Sequence, residues 1–444
     1  MPSPDLSQSS PTDESAPRHD PYAAMRIRDY RWFLSGNLPY LIGLNMQTTA
    51  VSWEIYDRTK SKFALAMVGL VQIVPVVGLF MPAGHLIDRI DRQKILMAAL
   101  IAAMGCSAGL AWCSWTAAPV AWMYVFLLFI GVARTFMQPA RAAFLPQIVP
   151  REVFSNAVTW SSTGFQLSSV LGPAAAGPLI AWQLNGALVY ALAAAMALYN
   201  CACLAMIRSR PFVPSTERPS LAALAGGLAF VWRSKVMLGA ITLDMFAVLL
   251  GGVTALLPVY QEDILNVDPN GFGWMRAAPG IGAVSMSFLL AHRPPMERAG
   301  RALLLAVAGF GVVTIVFGFS RIFGLSLAML VFLGALDMIS VVIRHTLVQL
   351  LTPDNMRGRV SAVNGMFIGI SNELGEFESG MVAHAFDRDD DPAFGPTVSA
   401  VSGGVGTLIV VAAVGLIWPQ LRNYGRLDGT KPAGQRPREE GTVP

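Results

Sequence analysis

The sequence predicts an all-α membrane protein in which twelve transmembrane helices form two pseudo-symmetric six-helix bundles. The 444-residue chain is 54% hydrophobic and only 14% charged, whereas a soluble domain carries about 25% charged residues. Its apolar runs are roughly 20 residues long, the length that a helix needs to cross about 30 Å of hydrocarbon. They do not alternate between apolar and polar residues as the strands of a membrane barrel do, so helices are indicated.

Twelve spanning segments can be placed along the chain. They cover residues 30–55, 63–87, 94–115, 119–143, 153–181, 185–207, 236–260, 271–291, 301–319, 322–349, 358–385 and 396–419. The predicted domains are a disordered tail at 1–25, a first bundle at 26–207, a linker at 208–235, a second bundle at 236–420 and a tail at 421–444. The opening residues are rich in Ser, Pro and Asp and lack the apolar core of a signal peptide.

The positions of Lys and Arg predict the orientation of the chain in the membrane. With the amino terminus in the cytoplasm, the inside segments contain 23 basic residues and the outside loops contain five. Cytoplasmic loops carry the excess of positive charge, so we expect a multi-pass bacterial inner-membrane protein with both termini in the cytoplasm. Because the loops account for the net charge of +4, no nucleic-acid partner is expected.

An internal repeat supports the division into two bundles. At an offset of 203 the matching pairs are Gly131 with Gly334, Arg141 with Arg344, Pro150 with Pro353, Gly172 with Gly375, and Gly177 with Gly380. At 204 they are Pro75 with Pro279, Gly78 with Gly282, and Arg89 with Arg293. Two same-sense halves related by an axis along the membrane normal are a known transporter architecture. Between them, the linker segment LAALAGGLAFVW favours a short helix on the membrane surface.

The loop between the second and third predicted spans, GHLIDRIDRQK at 84–94, carries a motif. It resembles the cytoplasmic loop of the major facilitator superfamily, with matching residues at Gly84, Asp88, Arg89, Arg92 and Lys94. Asp91 stands where that family often has Gly, and the second-half copy AHRPPMERAGR lacks the acidic residue. A carboxylate here can pair with Arg or with a helix amino end, so we interpret the loop as a cytoplasmic gate. Positive-inside charge alone explains only its basic residues.

The fifth predicted span contains SSVLGPAAAGP at 168–178. This segment is similar to the Gly-Pro signature of the exporter branches of the same superfamily. Its signature residues are Gly172, Pro173, Gly177 and Pro178. Prolines remove backbone donors and glycines remove side-chain bulk, so the segment is suited to tight packing and a bend in a helix that seals and reopens. Plain small-residue packing is the alternative.

Two longer stretches narrow the resemblance. They look like the subfamily that contains the enterobactin exporter and related efflux proteins. Their sequences are FVWRSKVMLGAITLDMFAVLLGGVTALLPVY and RGRVSAVNGMFIGISNELGEFESG. The similarity covers all twelve spans and leaves out the tails. It implies proton-driven export of a siderophore or a drug-like compound by a major facilitator fold.

Ionisable residues inside the predicted spans are the candidates for coupling. Each costs about 2.5–3.5 kcal/mol at mid-membrane on insertion scales, so each needs a partner, water or a function. Glu373 and Glu376 share a helix face, and two nearby buried carboxylates favour a proton carrier, with Asp244 as a further candidate. The alternative is a structural pair with Arg134 or Arg344. Arg134, Asp337 and Arg344 are predicted to line the cavity or form ion pairs.

Several other functions are not indicated. The four cysteines lie inside apolar stretches without zinc-ligand spacing, so we expect no metal and no cofactor. Gly105-Cys106-Ser107-Ala108-Gly109 matches G-x-S-x-G but lies inside a span and not at a strand-to-helix turn. Neither a zinc-protease motif nor a nucleotide-binding loop occurs, so the protein is not predicted to be an enzyme.

The sequence therefore favours a monomeric secondary transporter that exports a small molecule in exchange for protons by alternating access. Two alternatives stay open. The first is an importer or uniporter of the same fold. The second is a membrane receptor or scaffold without transport, which would leave the buried acids without a purpose.

Overall fold

A computed structural model describes residues 20–208, 221–294, 296–353 and 356–425, and in these ranges it contains helices and no β-strand. In chain order the helices are α1 (Arg28–Thr59), α2 (Lys62–Arg89), α3 (Arg92–Trp115), α4 (Val120–Ile148), α5 (Phe154–Gln183), α6 (Ala187–Ala205), α7 (Leu221–Arg233), α8 (Lys235–Leu250), α9 (Leu257–Val259), α10 (Pro269–Ala291), α11 (Ala299–Phe319), α12 (Phe323–Leu351), α13 (Arg357–Ala385), α14 (Phe394–Ile417) and α15 (Pro419–Arg422). The predicted tails lie largely outside these ranges.

Eleven of the twelve predicted spans each coincide with one long helix, and the seventh coincides with α8 and the irregular segment that follows it. Among the eleven, the largest difference is at α4, which runs to Ile148 where the prediction ended at 143. Hydrophobicity reports where the apolar core of the membrane ends, whereas the backbone hydrogen bonds of a helix continue into the interface. α7 lies within the predicted linker and packs through Val231 against α8 and α13.

Eight of the long helical segments are apolar enough to be recognised as membrane spans by length and composition alone. The exceptions among the twelve are α1, α5, α10 and α13. In the structure α5 packs against α10, and α13 packs against α2. These contacts join the two bundles, so the helices concerned face protein and the central space more than lipid. That position explains why α5, α10 and α13 tolerate more polar residues.

The bundles are α1–α6 and α8–α14, and they touch mainly through the α5–α10 and α2–α13 pairs. We call the end that carries Asp20 and Gly425 the terminal face, and the end that carries Lys60 and Asp387 the far face.

The α2–α13 contact is confined to the half of the molecule near the far face. A Cβ added at Gly380 would lie 2.7 Å from the Cβ of Ala66, and one at Gly69 would lie 3.0 Å from the nitrogen of Phe377. Gly369 lies about three turns before Gly380 on the same face of α13, yet an added Cβ there would have no atom of another described element within 4 Å. The two helices therefore diverge, and the cleft between the bundles opens to the terminal face.

The seventh span is interrupted in its middle. After α8 ends at Leu250, a 3-10 turn covers Gly252–Leu256, and a π-helical turn covers Tyr260–Ile264. Two adjacent glycines, Gly251 and Gly252, lie at the break, and a side chain at Gly252 would collide with the backbone of Gly375 in α13. This close approach brings the irregular backbone next to the cleft.

Candidate substrate cavity and gates

A central cavity lies between the bundles and is lined by residues of both. Its polar lining residues are Gln47, Thr48, Ser52, Gln72, Arg134, Arg276 and Glu376. A second cavity extends into the first bundle and shares Leu44, Gln47, Ile130 and Arg134 with the first. Gln47 is 4% exposed, and its Oε1 atom has no hydrogen-bond partner among the residues that the structure describes.

Arg134 of α4 joins the two bundles beside this cavity. Its Nη1 donates to Oε1 of Gln72 at 2.9 Å and lies 3.3 Å from Oε1 of Glu373 on α13. The Arg134 side chain is 37% exposed, whereas that of Glu373 is only 12% exposed. The pair therefore connects a water-accessible guanidinium with a shielded carboxylate on the opposite bundle.

Glu376 and Arg276 lie in the lining of the same cavity. Glu376 is three residues beyond Glu373 on α13 and attracts Arg276 electrostatically, but no ion pair within 4 Å joins them in the described structure. Arg276 instead donates from Nη1 to the carbonyl oxygen of Thr254 at 3.1 Å. Thr254 belongs to the 3-10 turn that interrupts the seventh span.

Asp244 of α8 and Arg344 of α12 form an ion pair inside the second bundle. Both side chains are buried, at 6% and 4% exposed. The topologically corresponding helices of the first bundle, α1 and α4, hold Arg141, whose Nη1 donates to Oδ1 of Asn37 at 3.2 Å. The two bundles thus use the same kind of contact, with a carboxylate in one and a neutral amide in the other.

Asp337 lies on α12 at the position that corresponds to Arg134 in the repeat, with the offset of 203 that also relates Arg141 to Arg344. It is half-buried and makes no hydrogen bond or ion pair with the described residues. It shares a helix face with Arg344, two turns away, but the partner of Arg344 is Asp244. The ion pair of α12 is therefore made by Arg344 alone.

The far face is closed by polar contacts between the bundles. Lys60 pairs with Glu262, and the Tyr56 hydroxyl donates to Asp263 in the π-helical turn. Lys62, only 3% exposed, pairs with Asp387 and also donates to the carbonyl of Pro392 at 3.0 Å. We call these contacts the far-face latch.

The predicted gating loop lies on the terminal face. Gly84, Asp88 and Arg89 occupy the last turns of α2, and Arg92 and Lys94 occupy the first turn of α3. The side chain of Asp88 lies outside the part of the chain that the structure describes. The carboxylate that caps the amino end of α3 belongs to Asp91, which accepts from the backbone nitrogen of Gln93 at 3.0 Å.

The predicted sealing segment of α5 packs against two helices. A Cβ at Gly172 would lie 2.9 Å from the carbonyl oxygen of Ile42 in α1, and one at Gly177 would lie 2.8 Å from that of Pro269 in α10. Pro173 is buried in this interface, whereas Pro178 is exposed. Gly177 therefore lies in the contact between the bundles, near the far face.

Sequence reasoning assigned no role to Arg276, Gln47 or the far-face latch. Arg276 was recognisable as an arginine inside a span, because such residues are rare in membrane helices. The charged residues of the latch lie at or near the ends of the spans, where charges look merely solvated in the sequence. Only folding shows that the basic loop of the first bundle meets the acidic loops of the second.

Comparison with known proteins places this geometry in a family. Residues 19–390 match the family model described as transmembrane secretion effector. The chain is 25% identical over 394 residues to the enterobactin exporter EntS of Escherichia coli strain K12, with 86% of this chain and 90% of that protein covered. The same values hold for EntS of Shigella boydii serotype 18.

Solved structures share the fold. A bacterial homologue of the human lysosomal transporter Spinster, in an inward-facing and unoccupied conformation, matches with a TM-score of 0.69 at 15% identity, covering 91% of this chain and 99% of the other. The nucleoside transporter NupG matches with a TM-score of 0.65 at 12% identity, covering 88% and 98%. The chain is therefore a transporter of the major facilitator superfamily and belongs to its transmembrane secretion effector family.

Proposed function

We propose that the protein exports a small molecule, a siderophore or a drug-like compound, by proton-coupled alternating access. The observation that carries this proposal is the Arg134–Glu373 ion pair, which bridges the bundles at the wall of the cavity. The cavity is lined by polar residues of both bundles, among them Gln47, Arg276 and Glu376. Similarity to an enterobactin exporter supports the substrate class and the direction.

The ion pair supplies a mechanism for coupling. Arg134 and a proton compete for the carboxylate of Glu373, because only the ionised form attracts the guanidinium. Opening the far face requires α4 and α13 to separate, which exposes Glu373 to water on that side, where it takes up a proton. The neutral carboxyl returns with the bundles and loses its proton when Arg134 approaches again. Glu376 and Asp244 remain the alternative carriers.

The proposed orientation places the terminal face in the cytoplasm and the far face in the periplasm. The positive-inside distribution supports it. The structure then represents the cytoplasm-open state, in which the far-face latch and the Gly177 contact hold the periplasmic side closed. The 84–94 loop forms the corresponding cytoplasmic gate of the opposite state.

A transport assay tests the function. Everted membrane vesicles from cells with the full chain should accumulate the substrate when their lumen is acidified, and deletion cells should retain siderophore and lose drug tolerance. Vesicles with Glu373→Gln should lose accumulation, and those with Glu378→Gln, a matched change on the same helix, should keep it. Uptake by intact cells with no accumulation in everted vesicles would instead identify an importer or uniporter.

A further inference from the structure

We propose that the central cavity binds an organic anion that also carries a hydrogen-bond donor, with Arg276 as the anchor of the anionic group and Gln47 as the acceptor of the donor. This inference rests on the proposed function in taking the cavity as the substrate site. It adds the chemical class of the substrate and two residues that recognise it.

The first step is the electrostatic state of Arg276. Its guanidinium is half-buried in the cavity wall, its described hydrogen bond goes to a neutral carbonyl, and no carboxylate of the described residues lies within 4 Å. A guanidinium has five donors, so most of them are free to face the cavity. A charge removed from water without a partner is costly, and an anionic ligand group relieves that cost.

The second step is how the fold positions this cation. Arg276 donates to Thr254 in the 3-10 turn after Gly251 and Gly252. The carbonyl of Thr254 accepts from the backbone nitrogen of Leu257 as well as from Arg276, and it fixes one end of the guanidinium against the cavity wall. Interrupted helices at mid-membrane form the binding sites of several transporter folds. Here the break lies beside a guanidinium that forms no ion pair within 4 Å among the described residues.

The third step is the unpaired acceptor on the facing bundle. Oε1 of Gln47 is buried and lacks a partner in the described structure, and Gln47 lines both cavities. A buried acceptor without a hydrogen bond costs about 1–3 kcal/mol, so a hydroxyl or N–H group of the ligand is favoured at this position. An anion bound between Gln47 on α1 and Arg276 on α10 would contact both bundles, as a transported substrate must.

The charge of the ligand is consistent with export. In a cell whose interior is electrically negative, the membrane potential drives an anion outward by about 2.3 kcal/mol per charge per 100 mV. Glu376 lines the same cavity, so an anionic group is favoured only where it contacts Arg276 directly. A ligand cation would instead meet the guanidiniums of Arg134 and Arg276, which line the cavity from opposite bundles.

The test uses the full chain in nanodiscs with radiolabelled 4-hydroxybenzoate as the probe. We expect 4-hydroxybenzoate to bind saturably. We expect 4-hydroxybenzyl alcohol and tyramine, which carry no anionic group, to be poor competitors. Arg276→Gln should weaken binding by roughly tenfold or more, and Arg276→Lys should restore part of it. Gln47→Leu should weaken the binding of 4-hydroxybenzoate. It should not weaken the binding of benzoate, which has no hydrogen-bond donor. The control is Arg141→Gln, which removes a membrane arginine outside the cavity lining and should leave binding intact.

Absence of saturable binding, stronger competition by tyramine than by benzoate, or full affinity in a folded, monodisperse Arg276→Gln protein would overturn the proposal. Such a result would leave the transport function standing if Glu373→Gln still abolished gradient-driven accumulation. Conversely, anion binding by a chain that exports nothing would refute the transport function and retain the site.

Discussion

Arg134 of α4 and Glu373 of α13 form an ion pair at 3.3 Å that joins the two bundles beside the central cavity. Gln72 of α2 accepts a second hydrogen bond from the same guanidinium nitrogen and so fixes its position. The pair can exist only while the bundles are close at this level. Its formation is therefore linked to which face of the protein is open.

We expect Glu373→Gln to abolish coupling while preserving folding, because an amide can hydrogen bond to Arg134 but cannot exchange a proton. A driving force of about 2.3 kcal/mol per 100 mV corresponds to roughly fiftyfold accumulation, and this ratio should fall to near one. The measurement is substrate accumulation in proteoliposomes with an imposed gradient. Accumulation at the wild-type level would remove Glu373 from the mechanism.

Loss of the Lys62–Asp387 pair is expected to favour the state that is open at the far face. Asp387 is 42% exposed, so the contribution of the pair is modest, about 1 kcal/mol, and Asp387→Asn should shift the equilibrium roughly fivefold. Spin-label distances between the loops near Lys60 and Glu262 measure the shift. The double exchange Lys62→Asp with Asp387→Lys should return the distances toward wild type, and a shift that persists in the exchanged pair would argue against a latch.

A side chain at Gly177 is expected to separate α5 from α10. Gly177→Leu should lower the free energy of unfolding by about 1–3 kcal/mol, as overpacking does in close-packed cores, and should also slow transport. The control is Gly105→Ala, where an added Cβ would meet no atom of another described element within 4 Å and helix propensity favours alanine. Thermal unfolding followed by tryptophan fluorescence compares the two variants, and equal melting temperatures would contradict the packing assignment.

Breaking the buried pair of the second bundle should be strongly destabilising. Asp244→Asn leaves Arg344 buried without a counter-charge, for which we expect a loss of about 3–5 kcal/mol. The double variant Asp244→Asn with Arg344→Gln should recover much of this loss, because it also removes the orphaned charge. The free energy of unfolding in detergent is compared among the wild type, the single variant and the double variant. A fully stable single variant would show that the pair is not a structural one.

At the corresponding contact in the first bundle we expect a substitution to stabilise the protein. Asn37→Asp gives Arg141 the carboxylate that Arg344 already has, and a charge-assisted hydrogen bond is about twice as strong as a neutral one. We therefore expect a gain of roughly 1 kcal/mol, seen as a higher melting temperature. A lower melting temperature at neutral pH would mean that the site does not accept a carboxylate.

The sequence predicted the long helices well because crossing hydrocarbon imposes a length and a composition on each segment separately. It also identified most of the ionisable residues that matter, since a charge inside a span is conspicuous. It did not identify their partners. The sequence left Arg134 and Arg344 as alternative partners of the two glutamates, whereas in the structure Arg134 pairs with Glu373 and Arg344 pairs with Asp244, because α8 and α12 cross at that level.

By itself, therefore, the sequence determined the helices, their charges and the glycine and proline positions, because these follow from local chemistry and the thickness of the membrane. Only the tertiary structure decided that Arg134 reaches Glu373, that Arg276 lines the cavity without an ion pair to any described residue, and that Lys62 meets Asp387. These contacts join residues more than 200 positions apart or sit at a helix break, and packing between helices, which no local pattern encodes, sets their geometry.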